Sequence, residues 1–117
     1  MAAMHHKGKI LGRELPRMEE FEANAFLDDF VVSDDPDKPI TAGLFRLEAG
    51  ESMTYTYTYH EIKLIVDGEF HISDDTGQTV EATQGDLFYF PAGSTITFST
   101  PVFGLGYFVG QRGEGEA

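Results

Sequence analysis

The 117-residue chain has no cysteine, no tryptophan, only eight basic residues and no apolar run approaching the length of a membrane span. Each absence closes a class of function. Without cysteine there is no disulfide framework, no thiolate metal site and no cysteine nucleophile. Eight Lys and Arg against twenty Asp and Glu leave a formal net charge of −12. No basic patch is visible, so nucleic acid and anionic membranes, which select such patches, are not expected partners. The opening MAAMHHKGKILG lacks the apolar core of a secretory signal, and a cytoplasmic location is the default expectation. His5 and His6 fall in this stretch and are not read as ligands. With four histidines in all, no Ser-His-Asp set can be assembled.

What is present is glycine and phenylalanine: thirteen Gly, ten Phe and 13% aromatics suit short strands joined by many turns. The length fits one domain. Residues 1–20 are expected to be a flexible N-terminal segment, 21–111 the folded domain and 112–117 a disordered acidic tail. LPRMEEFEANAF has helical leanings over a turn or two. After it the chain reads as strand: DDFVVSDD, ITAGLFRLEAGE, the tyrosine stretch SMTYTYTYHEIKLIVDG, then EFHISDDTGQTVEA as a hairpin turning at Asp75 to Gly77. GDLFYFPAG, STITFS and FGLGYFVG complete eight or nine strands at intervals of roughly ten residues, which is the pattern of a sandwich or barrel.

Alternation assigns faces within the tyrosine stretch. Counting by twos from Glu61 places Tyr59, Tyr57 and Tyr55 on one side and Thr58, Thr56 and Thr54 on the other; forward, Lys63 and Ile65 join the tyrosines. Ser52 to Asp67 is too long for one straight strand, so a bend is expected within it.

GDLFYFPAGSTI sets five residues between Gly85 and Pro91-x-Gly93, with Ile96 following, and upstream Glu61 is followed after six residues by Gly68. These two spaced motifs resemble those of the cupin superfamily. The resemblance implies an all-β fold, a single-domain cupin jelly-roll β-barrel with a short irregular or helical N-terminal segment. In a metal-binding cupin, two histidines before the glutamate and a third after the Pro-x-Gly hold a divalent ion with it. Here those places fall on Tyr55, Tyr57 and Ile96, and only Glu61 remains. A phenol is a poor ligand at neutral pH and isoleucine offers no donor, so neither metal nor another cofactor is expected.

YHEIKLIVDGEFHI, GQTVEATQGDLFYFPAGSTITFST and GYFVG, roughly half the chain, resemble more closely the ethanolamine-utilisation EutQ type of cupin, which also lacks the histidine pair. The likeness implies a compact barrel, a homodimer, an association with microcompartment metabolism and an acetate kinase role. The chain has no phosphate-cradling glycine loop followed by Lys-Ser/Thr, and Lys63 stands where an acidic residue is expected in that family.

Two readings of the tyrosines stay open. In one, Tyr55, Tyr57, Tyr59, Glu61 and Ile96 line a pocket for a small polar metabolite, with phenols and carboxylate gripping hydroxyls or carbonyls. In the other, the phenols are core residues whose hydroxyls find carbonyls or water. The pocket reading carries a chemical one, with Tyr55, Tyr57, Glu61 and Lys63 as catalytic residues. A lysine beside a phenol lowers its pKa, Tyr55 or Tyr57 then abstracts a proton alpha to a carbonyl, Glu61 shuttles it and Lys63 steadies the enolate, as in a metal-independent lyase, dehydratase or isomerase. Buried lysines are rare, so Lys63 is expected at the rim with its ammonium in water.

His60 and His71 are expected to point outward or into a dimer interface; a substitute metal site from Glu61, one of these histidines and a tyrosine is the alternative. The exposed apolar strands GLFRL and GLGYFVG point to a homodimer, and a non-catalytic accessory or scaffold acting through that surface is the second functional reading.

Overall fold

The computed structural model describes residues 2–117. Among them are eight strands and no helix: β1 (Ala25–Val32), β2 (Thr41–Glu48), β3 (Met53–Thr56), β4 (Glu61–Asp74), β5 (Thr79–Thr83), β6 (Leu87–Phe90), β7 (Thr95–Ser99) and β8 (Phe103–Gly110). All named strand pairs are antiparallel. The path runs β1-β2-β8-β4-β7-β3, with β5 and β6 also paired to β4, and curls around one aromatic core in the cupin jelly-roll manner read from the sequence.

EIKLIVDG and EFHIS form one continuous strand. The first half of β4 pairs with β6 and β8, the second with β5 and β7, so β4 belongs to both walls of the barrel. The crossing is made at a register shift between Ile65 and Asp67 followed by Gly68 at φ 68°. A Cβ there would lie 2.3 Å from the carbonyl oxygen of Phe103, so only glycine lets the strand turn from one wall to the other. Inside, Phe45, Phe70, Phe98 and Phe108 are almost wholly buried. Phe45 packs on Phe70 at 5.8 Å and on Phe98 at 5.4 Å between ring centroids.

The N-terminal segment is irregular rather than helical. The Met18 amide donates to the Ala25 carbonyl and the Leu27 amide to that of Pro16, so the backbone groups a helical turn would use are taken by β1. Arg17 forms an isolated bridge with Phe26, and its guanidinium donates to the carbonyls of Phe21 and Ala23. Met18 enters the core.

Candidate functional site

Tyr55 lies on β3, Tyr57 and Tyr59 on the bend after it, and Glu61 and Lys63 at the start of β4. The two-residue period survives the bend. Tyr57, Tyr59, Glu61 and Lys63 are buried and Tyr55 half-buried, while Thr54, Thr56 and Thr58 are exposed. On the outer side Thr54 and Thr56 bond Thr97 and Thr95 of β7 at 2.9 and 3.0 Å, which fixes the register of β3. The three phenol rings meet edge to face, Tyr55 to Tyr57 at 4.7 Å and Tyr57 to Tyr59 at 5.4 Å between centroids.

At the centre the Tyr57 hydroxyl donates to Glu61 Oε2 at 2.5 Å, and Lys63 Nζ stands 3.3 Å from the same oxygen. Both contacts fall on Oε2. The ammonium also lies 4.4 Å from the ring centroid of Phe45 and 4.6 Å from that of Phe98, a cation held between two aromatic faces. Its stem passes over Gly106 of β8, where an added Cβ would come within 3.1 Å of the Lys63 side chain. The Tyr55 and Tyr59 hydroxyls bond each other at 3.0 Å.

One expectation is corrected here. Lys63 is not at the rim; its side chain is 4% exposed. The rarity of buried lysines reflects the cost of an unpaired charge, and Glu61 with the two phenylalanine faces removes that condition. The surroundings of the phenols disfavour the phenolate. Burial, and next the Glu61 carboxylate, push Tyr57 well above its ordinary pKa; burial likewise raises Tyr59 and Tyr55. Burial lowers the pKa of Lys63 itself, with Glu61 opposing.

The space over this group is small. A cavity of about 20 Å³ is bounded by Tyr55, Tyr57, Tyr59, Glu61 and Lys63, with Met18 and Ala117 among its other walls. That admits about one water-sized group. Ile96 lies directly opposite Tyr55 in the β3–β7 pair and also lines a second opening, a groove of about 420 Å³ between the β4–β5 hairpin and the β6–β7 turn, with Ile72, Val80, Phe88 and Phe90. Phe90, which lines the groove, stacks on Tyr57 at 5.2 Å between ring centroids.

The residues do not fit a divalent cation. Of the four places used by metal-binding cupins only Glu61 offers a strong donor, and its carboxylate already faces an ammonium that would repel a second cation. His60 and His71 do not join it: His60 is exposed and its Nδ1 bonds the Tyr89 hydroxyl at 2.8 Å, while His71 bonds Glu69 at 2.7 Å on the outer surface.

Arg112 was missed by the sequence reading, which set it at the head of the acidic tail. Its side chain is 3% exposed, and Nη1 and Nη2 each lie 2.9 Å from one oxygen of Asp29 on β1. The Gly115 amide donates to the same carboxylate, which brings Ala117 to the cavity. The alternation Phe108, Gly110, Arg112 carries the interior face of β8 past the end of the strand and is the signal that would have found it.

A family model described as Ethanolamine utilisation protein EutQ matches residues 14–109. The relative named Acetate kinase EutQ from Escherichia coli K12 is 36% identical over 74 residues, 63% of this chain and 30% of the relative. The chain therefore spans under a third of the length of that curated relative. The crystal structure of an ethanolamine utilization protein Q from Salmonella typhimurium LT2 superposes with a TM-score of 0.73 at 28% identity, covering 86% of this chain and 80% of that one. The polyketide cyclase RemF from Streptomyces resistomycificus, at 15% identity, shares the fold, with a TM-score of 0.76 over 92% of this chain and 79% of its own. With a family model covering most of the chain and a cupin barrel whose histidine pair is replaced by tyrosines, the protein belongs to the ethanolamine-utilisation EutQ family.

Proposed function

We propose that the chain binds a small polar metabolite, bearing a hydroxyl or carbonyl group, against Glu61, Lys63 and Tyr57, and moves a proton on it without a metal. The observation that carries this reading is the buried Glu61–Lys63 pair with the Tyr57 hydroxyl on the same oxygen. Glu61, not a phenol, is the base; the Lys63 ammonium stabilises charge developing on the ligand oxygen, and Tyr57 stays protonated as a donor. Because the cavity holds about one water-sized group, a larger ligand enters only as walls such as Met18 or Ala117 move.

The name acetate kinase belongs to relatives of which this chain covers under a third. Besides Lys63, the basic side chain nearest the barrel interior is Arg112, and its guanidinium is bound by Asp29, so the groups here favour proton transfer over phosphate handling.

The test is a thermal-shift screen of hydroxy and carbonyl compounds on wild type and Tyr57→Phe, with metal content measured on protein purified without chelator. Stabilisation by a compound, weakened in Tyr57→Phe, supports the reading. Stoichiometric metal that vanishes in Glu61→Gln would overturn its metal-free part.

A second reading rests on the outer face of the same wall. Ile62, Leu64, Leu87, Tyr89, Tyr107 and Val109 lie side by side on β4, β6 and β8. Ile62, Leu87 and Tyr89 are 43, 66 and 55% exposed. A second copy covering this face gives a homodimer, and an accessory role would run through that surface.

A further inference from the structure

We infer that Lys63 is a nucleophile that captures a small aldehyde or ketone as an imine. This rests on the pocket reading above and assigns it a substrate class. Lys7, Lys9 and Lys38 are exposed, and Lys63 alone faces an interior cavity, beside Glu61 and the phenols. The faces of Phe45 and Phe98 exclude water from the amine, Gly106 leaves the channel its stem follows, and Glu61 Oε2 lies 3.3 Å from Nζ as proton carrier. Burial also disfavours the ammonium, which raises the fraction of free amine. The cavity of about 20 Å³ holds about one water-sized group, so even a small carbonyl compound enters only as the walls move.

The step balances within these groups. Lys63 passes a proton to Glu61, leaving an amine and a carboxylic acid. The nitrogen lone pair forms a bond to the carbonyl carbon, the C=O π pair moves to oxygen, and that oxygen takes the proton from Glu61. Nitrogen returns one proton to Glu61, giving the carbinolamine. Glu61 then protonates the hydroxyl, the C–O bond breaks, water leaves and C=N forms, with the carboxylate as counter-ion to the protonated imine. No oxidant or reductant is used.

Incubation of the whole chain with glycolaldehyde and sodium cyanoborohydride at neutral pH, followed by digestion and peptide mass mapping, reads the adduct directly. The expected result is one reduced adduct at Lys63, formed faster than at Lys7, Lys9 or Lys38, since burial favours the free amine there and Glu61 stands beside it to carry the proton. Lys63→Arg keeps the cation and must lose that adduct; should it fail to fold, the three exposed lysines remain internal controls in the wild type. Labelling confined to those three, with a reversible rise in Tm on glycolaldehyde alone, overturns the imine and leaves the pocket reading standing. Neither labelling at Lys63 nor a change in Tm with any carbonyl or hydroxy compound overturns both.

Discussion

The Lys63 ammonium and the Glu61 carboxylate lie 3.3 Å apart inside the barrel, each side chain 4% exposed. Neither residue is replaceable alone. Lys63→Ala or Glu61→Ala strands a buried charge and is expected to cost about 3–5 kcal/mol, whereas Lys63→Met with Glu61→Leu lies nearer wild type. Urea unfolding of the three variants decides it; a double mutant as weak as the singles would mean that the pair contributes more than mutual neutralisation.

Stability is expected to fall at alkaline pH. Burial raises the Tyr57 pKa above 10.0, so between 10.0 and the folded value the unfolded chain loses a proton that the folded one keeps, and stability declines as pH rises. Lys63 has the opposite sign: its folded pKa lies below 10.5, so its ionisation penalty is full below the folded value and is relieved as pH climbs toward 10.5. Melts of wild type and Tyr57→Phe from pH 8 to 11 separate the two, the variant showing the shallower decline.

Acid acts elsewhere. Burial alone would raise Asp29, but hydrogen bonds from Arg112 and the Gly115 amide outweigh it and hold the carboxyl below 3.8. That stabilisation is present above 3.8 and lost as pH falls through the folded value. Asp29→Asn is expected to flatten this part of the acid transition; an unchanged acid limb would show that the ion pair with Arg112 contributes nothing net.

Gly106→Ala places a methyl group 3.1 Å from the Lys63 stem. Overpacking of this kind costs about 1–3 kcal/mol. The variant is expected to melt earlier and to lose the Tyr57-dependent ligand response, which calorimetry and the thermal-shift screen both read.

Ile62→Glu with Leu87→Glu puts two charges into the outer apolar face and is expected to convert a dimer to a monomer without changing the monomer's fold. Light scattering after size exclusion, with circular dichroism as control, checks it. A wild type that is already monomeric at micromolar concentration removes the second reading.

Much of this architecture was legible because strand chemistry is local. The Tyr/Thr alternation gave the faces of residues 54–59, and the Glu61…Gly68 and Gly85…Pro91-x-Gly93 spacings gave the cupin barrel. The readings that failed depended on partners distant in sequence. MEEFEA reads as a helical turn until β1 takes the backbone bonds of Met18 and Pro16. Lys63 reads as a rim residue until Phe45 and Phe98, from strands remote in sequence, close over it. Arg112 was hidden by the acidic residues after it, and its partner Asp29 lies 83 positions away.

The two enclosed ion pairs, Lys63 with Glu61 and Arg112 with Asp29, each cancel internally, so the full formal charge of −12 remains on the exterior. Any molecule diffusing to the barrel meets that field first. Anions are slowed on approach and are admitted faster as salt screens the repulsion, while uncharged compounds arrive at a rate that ionic strength leaves unchanged. The surface thus sets how fast a small molecule arrives by the sign of its charge.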